Sequence, residues 1–233
     1  AQYPAAKVHL INDLKAAAYG LAMLETKDVS VLRNGDPDAG GNAAVIAPGT
    51  GLGEAGLYWD GKYYHPFATE GGHADFAAHT SLDFELYSFL QQQFGHVSWE
   101  RVVCGPGIVN IYRFLRDVKK MEEPLWLAEK MQHADKAATI SSHTVQSMLC
   151  RETMQHFVRY LAYEAANLVL KLNATGGLFI GGGIPPQILH FLENNAFYNA
   201  FRQSGRLNFL LEKVPVKVLL NPKAALLGAA FYA

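Results

Sequence analysis

Cysteine is scarce in this sequence. Cys104 and Cys150 are the only two among 233 residues, and they stand far apart with no C-x-x-C pair. That argues against a disulfide framework or a cysteine-built zinc site and makes a reducing compartment the default. Charge is also scarce, at 18% of residues, and it balances to a net -1, so no nucleic-acid partner and no anionic membrane surface is expected. No apolar run is long enough to span a bilayer, so no membrane partner is expected either. The opening AQYPAAKVHL lacks the basic start and long apolar run of a secretory signal, which leaves a cytoplasmic protein as the expectation. It also lacks an initiator Met, as a fragment or a processed product would. Hydrophobic residues make up 50% of the chain, enough to bury the core of one large domain or two small ones.

Read in order, strand-like and helix-like segments alternate as in an α/β protein. Val8-His9-Leu10-Ile11 reads as the end of a strand. Asn12-Asp13 breaks it, and a helix starts at Leu14 with Asp13 as its expected N-cap. Residues 28–42 are polar and glycine-rich and read as an exposed loop. Ala43 to Ala47 is a buried strand, Glu54 to Trp59 a second, and Asp60-Gly61 turns the chain into Tyr63 to Phe67. Leu82 to Phe94 and Ile108 to Val118 have helical periodicity, and residues 119–138 read as a helix with a solvated face. Residues 144–172 form a long apolar helical stretch, long enough to serve both the core and a dimer contact, so a homodimer is expected. Gly177 to Ile180 is a strand, with a helix expected from Gln187. Residues 196–211 read as helix, Val214 to Leu220 as strand and Ala224 to Tyr232 as the closing helix.

The densest chemistry lies in Thr69-Glu70-Gly71-Gly72-His73-Ala74-Asp75-Phe76. Two glycines let the backbone bend so that Glu70 and His73 aim at one small volume. A carboxylate accepts hydroxyl protons and an imidazole both donates and accepts, which suits a polyhydroxylated ligand. A polar turn with a satisfied histidine is the alternative. Pro48-Gly49-Thr50-Gly51-Leu52-Gly53 joins strand to strand and lacks the Walker lysine, yet its backbone N–H groups and the Thr50 hydroxyl can cradle phosphate oxygens. A plain glycine hairpin is the alternative there. Gly181-Gly182-Gly183 closes a buried strand, where a nucleotide can approach bare backbone or the chain merely crosses over. Asp13 either caps a helix or faces the crevice at a strand-to-helix junction. Glu100 reads alone as first-turn charge.

Together, Ile11-Asn12-Asp13, Gly49 to Gly53, Glu70 to Phe76, Glu100-Arg101-Val102 with Gly105-Pro106-Gly107, and Gly181 to Ile184 resemble the bacterial ATP-dependent glucokinases. Order and separation match over nearly the whole chain. E-G-G-H-x-D-F followed by E-R-V-x-x-G-P-G is specific to that family, whereas the glycine loops alone are not. The resemblance implies the α/β actin-like ATPase (ribonuclease H-like) sugar-kinase fold, two domains with a ligand cleft, and a cytoplasmic ATP:hexose phosphotransferase of glycolysis. It implies Asp13 as catalytic base and Asn12, Glu70, His73 and Glu100 as glucose ligands. It also implies Gly49, Thr50 and Gly51 as the second phosphate loop and Gly181, Gly182 and Gly183 as the adenosine-side loop, with ATP and Mg2+ as cofactors. The absence of a cysteine cluster points to the zinc-free branch. The family usually begins with D-x-G-G-T-N, the first phosphate loop, and this sequence has no such motif. Most of the N-terminal small domain is therefore expected to be absent from the chain. Residues 1–23 and 214–233 would be its remaining parts, and 24–213 the large domain. A catalytically impaired sugar-binding fragment or sensor, or a kinase for another hexose, remain as further readings.

Overall fold

The structure, a computed structural model, describes residues 10–232. Its strands are β1 (Val29–Arg33), β2 (Ala43–Pro48), β3 (Leu52–Trp59), β4 (Tyr64–Thr69), β5 (Gly177–Ile180) and β6 (Val216–Leu219). Its helices are α1 (Asp13–Gly20), α2 (Ser81–Phe94), α3 (Gly105–Asp117), α4 (Leu125–His133), α5 (Lys136–Ser142), α6 (Met148–Leu172), α7 (Leu189–Leu192), α8 (Asn195–Phe201), α9 (Asn208–Leu211) and α10 (Ala224–Tyr232). The strands make one six-stranded sheet in the order β1-β6-β5-β2-β3-β4, parallel through β6, β5 and β2 and antiparallel at both ends.

Both faces of the central sheet are covered, so β2 is apolar without alternation. Ala44 and Ile46 point into the larger core, and Ala43 and Val45 into the smaller one. The larger core is built on α6, which has 16 of its 25 residues buried and lies at its centre. The helix begins at Met148, where Ser147 caps it, rather than at residue 144. The smaller core lies under α1, which crosses α10 on the opposite face. A Cβ on Gly228 would overlap the Ala16 carbonyl oxygen, and one on Gly20 the Ala224 carbonyl oxygen. Two bare positions thus let the two helices touch backbone to backbone.

Several expectations need correction. Asn12, not Asp13, is the N-cap of α1: its Oδ1 accepts from the N–H groups of Leu14 and Lys15 at 2.9 and 3.0 Å. Residues 28–42 are not all loop, because Val29–Arg33 pair as the half-exposed edge strand β1 with β6. Residues 119–138 hold two helices: α4 starts after Pro124, and Asp135 interrupts by capping α5 through the Ala138 N–H at 2.8 Å. The helix expected from Gln187 is a 3-10 turn, Pro185–Ile188, followed by the single turn of α7. The helix expected over 196–211 is α8 and α9, broken where Gly205 takes a positive φ of 57°. Of the strand end expected at Val8 to Ile11, residues 8 and 9 lie outside the described residues, and Leu10 and Ile11 are irregular. No helix among the described residues is long and apolar enough to cross a membrane.

Candidate active site

One cleft of about 900 Å³ opens between α1, the sheet and the start of α10. Asn12, Asp13, Glu70, His73 and Glu100 line it, as do Gly49, Thr50, Gly51, Gly181, Gly182 and Gly183. Every residue singled out from the sequence as a site residue therefore meets in one volume. Thr69, Gln187, Asn221 and Pro222 line it as well. A second cleft of about 560 Å³ adjoins across Gly49, Thr50 and Gly183, and is walled by Pro106 and Val109 of α3, Lys136 and Ser141 of α5, and Ile188.

Local chemistry explains how the side chains arrive there. Leu14 of α1 packs into the space that a Cβ on Gly53 would fill, which sets the start of α1 over β3. Asn12 spends its Oδ1 on capping, leaving its amide N–H2 as the donor. The exposed Asp13 carboxylate is held near its own helix start, with Oδ1 accepting the Leu14 N–H at 2.8 Å.

Glu70 and His73 flank a 3-10 turn, Gly71–His73, closed by the His73 N–H to the Glu70 carbonyl at 3.0 Å. Both side chains are exposed to the cleft. The turn is pressed onto β3, since a Cβ on Gly72 would strike the Leu52 carbonyl and one on Gly71 the Glu54 carboxyl. It is also tied to the turn that carries Glu100: the Trp99 N–H donates to the Ala74 carbonyl at 3.0 Å and the Phe76 N–H to the Val97 carbonyl at 2.9 Å. Asp75, the second carboxylate of the motif, does not join the cleft and bonds His96 Nε2 at 2.8 Å on the surface.

Glu100 reaches back to the glycine loop, where its Oε2 accepts the Leu52 N–H at 2.9 Å. A Cβ on Gly51 would stand 2.5 Å from that oxygen, so glycine is needed for the approach. The loop is closed by the Gly49 N–H on the Gly51 carbonyl at 2.8 Å and fastened to α3 by the Gly105 N–H on the Gly49 carbonyl at 2.9 Å. Gly182, at a φ of 87°, passes so close to the Pro48 carbonyl that no side chain fits. The two glycine loops therefore form one continuous backbone surface between the two clefts. Cys104 caps α3 beneath them, and burial pushes its thiol up to about 11, so it stays protonated and inert.

Sequence reasoning missed one pair behind the site. Glu54 of β3 and Glu164 of α6 are buried face to face, and both carboxyls are pushed up, by burial first; for Glu54 the Glu164 charge adds to that. Glu54 reaches about 8. The signal was available: in Leu52-Gly53-Glu54-Ala55, alternation puts Glu54 on the inward face with Leu52, and Glu164 interrupts the run from Tyr160 to Ala166, every residue of which is buried.

Over residues 1–233 the chain matches the family described as Glucokinase. It is 41% identical to a glucokinase of Trichormus variabilis, over 97% of this chain and 70% of that protein. Among solved structures it is similar to a glucokinase from an Antarctic psychrotroph, with 36% identity and a TM-score of 0.83, covering 94% of this chain and 66% of that one. A glucokinase from Balamuthia mandrillaris, solved in complex with glucose, shares the fold at 21% identity and a TM-score of 0.81, over 96% of this chain and 64% of that one. The chain thus spans about two thirds of the length of the relatives it matches.

Proposed function

The chain belongs to the glucokinase family and has its actin-like α/β sugar-kinase fold, and from that footing we propose that it phosphorylates glucose at the 6-hydroxyl with ATP. The observation that carries the reading is the convergence of Asp13, the four sugar-facing side chains and both glycine loops on one cleft. Asn12, Glu70, His73 and Glu100 fix the ring by its hydroxyls. Asp13 accepts the 6-hydroxyl proton as that oxygen attacks the γ-phosphorus. Thr50 and Gly51 receive the phosphates on backbone N–H groups and the Thr50 hydroxyl, in a loop that the Gly49 N–H holds closed, and Gly181, Gly182 and Gly183 let the nucleoside pass toward the second cleft. Such transfers depend on positioning and charge stabilisation more than on covalent chemistry.

A Mg2+ ion carried by the nucleotide supplies charge neutralisation at the phosphates. It takes most of its ligands from phosphate and water, so it needs only one or two protein oxygens. The Thr50 hydroxyl, which lines the cleft beside the glycine loop, would offer one such oxygen and leave the Asp13 carboxylate free for the proton.

The test is glucose 6-phosphate formation by this chain with MgATP, against Asp13→Ala, alongside a glucose titration of both. Losing a general base lowers turnover by about 10² to 10⁴, so Asp13→Ala is expected to lose useful turnover while still binding glucose. A nearly fully active variant would overturn the role of Asp13. The share of its relatives that the chain spans favours one second reading. If the chain binds glucose without turnover, it is the sugar-binding majority of a kinase whose remaining phosphate contacts come from outside these residues.

A further inference from the structure

The Glu54 carboxyl lies directly under the turn that carries Glu70 and His73. It is 1% exposed, and Glu164, which faces it, is 0% exposed. Two carboxylates withdrawn from water side by side do not both ionise, because the second charge meets desolvation and the first charge together. Glu164 is the better placed to carry the charge: it accepts from Asn167 Nδ2 at 2.9 Å and from Lys171 Nζ at 3.3 Å. No such donor serves Glu54, whose Oε1 is buried without a partner. A proton kept by Glu54 and directed at Glu164 satisfies both groups. The other oxygen, Oε2, occupies the space beside Gly71 that a Cβ would need, so the carboxyl is the floor on which Gly71 rests. The same residue is bonded into the turn by its main chain, since Thr69 Oγ1 donates to the Glu54 carbonyl at 3.2 Å and accepts the Gly71 N–H at 3.2 Å.

We propose that Glu54, joined to Glu164 by a shared proton, is a positioning residue that holds the Glu70–His73 turn in its sugar-receiving geometry, and that losing this proton releases the turn. The inference rests on the reading of Glu70 and His73 as sugar ligands. The charged groups facing Glu54 are Glu164 and Lys171, both on α6, while β4 and the turn present only the Thr69 hydroxyl and backbone. Lys171 favours ionisation and Glu164 opposes it, with burial the larger effect. Once ionised, Glu54 is repelled by Glu164. That repulsion acts on the carboxyl against which Gly71 is packed, and so on the turn.

The experiment is glucose affinity by calorimetry, from mildly acidic to alkaline pH, on wild type, Glu54→Gln and Glu54→Ala. The His73 ring resonances are followed by NMR over the same range without sugar. In wild type, affinity falls by up to about tenfold per pH unit once the proton is lost. Glu54→Gln keeps a neutral donor of the same shape, so it rescues binding and abolishes the alkaline fall. Glu54→Ala weakens glucose about tenfold at every pH and raises KM more than it lowers kcat. The His73 resonances show an alkaline step in wild type that Glu54→Gln lacks. A merely structural role would lower the stability of the variants without moving these pH profiles. Identical profiles in wild type and Glu54→Gln would overturn the inference, and that comparison stands even if Glu54→Ala does not fold. If wild type bound no glucose at any pH, the sugar-kinase reading would fall, while the His73 step would still decide whether Glu54 governs the turn.

Discussion

At the scale of single residues, several side chains and bare positions in this site have two duties. Glu100 lines the cleft and also holds the Leu52 N–H of the glycine loop. Gly51 is what lets it do both. A methyl group there would meet only the far end of the Glu100 side chain, so the fold can yield at little cost while Glu100 is pushed off its partner. Gly51→Ala is therefore expected to leave the melting temperature nearly unchanged. It should raise the KM for glucose about tenfold, since a hydrogen bond to a charged group is worth about 1.5 to 3 kcal/mol. Steady-state kinetics and calorimetry on one preparation separate the two effects, and a lower melting temperature with an unchanged KM would remove Glu100 from the sugar site. The same double duty explains what the sequence could not show. Asn12-Asp13 announces a helix start, but either residue is a sound cap, and only the structure shows the Asn12 amide oxygen on the helix N–H groups. Glu54 was passed over for a different reason: alternation sets it inward with Leu52, but the charge of a glutamate in a strand suggests surface, and α6 fills the face it points to.

At the scale of elements, legibility followed how strongly one signal dominated. The buried strand, read as Ala43 to Ala47 and found to end one residue later, and the long helix α6 were plain, because neither is interrupted by glycine or proline before its end. The edge strand β1 was lost beside the glycine-rich run after it, and it exists because β6 offers a free edge. The split between α4 and α5 was lost because Asp135 reads as a solvated residue of one helix and acts as the cap of the next. The crossing of α1 and α10 was not legible at all, since glycine and alanine in a helix mark close packing only when the partner is known. The crossing nevertheless positions one wall of the cleft, because α1 carries Asn12 and Asp13 at its start. Gly228→Ala sets a methyl group against the Ala16 carbonyl, a main-chain atom that cannot turn aside. Overpacking of this kind costs about 1 to 3 kcal/mol, and in a chain of this size each kcal/mol lowers the melting temperature by about 2 to 4 °C. The expected result is a lower melting temperature together with lower turnover, measured by calorimetry and kinetics. Unchanged turnover in a destabilised variant would mean that α1 is positioned by the sheet alone.

At the scale of the whole molecule, two buried groups on the α6 side of the sheet tilt stability in opposite directions with pH. His156 is 7% exposed and its Nδ1 has no partner. Burial, with help from Arg159 and against Asp83, pushes it down from 6.5 to about 4. Below its unfolded value the unfolded chain binds a proton that the native state refuses, so its contribution to stability falls as the pH drops toward 4. Glu54 works the other way. Its native carboxyl keeps a proton that the unfolded chain gives up above 4.5, so its contribution falls as the pH rises toward 8 and is flat beyond. Between 4.5 and 6.5 the two slopes oppose each other, and above 6.5 only that of Glu54 remains of the two. Urea midpoints measured across pH for wild type, Glu54→Gln and His156→Phe resolve this, because differences between variants cancel the contribution of surface groups. Glu54→Gln is expected to gain on wild type steadily as the pH rises to about 8 and to gain no more above it. His156→Phe is expected to gain on wild type only on the acid side of 6.5. A Glu54→Gln difference that does not change with pH would mean that Glu54 is ionised in the native state, and the turn bearing Glu70 and His73 would then rest on a charge rather than on a shared proton.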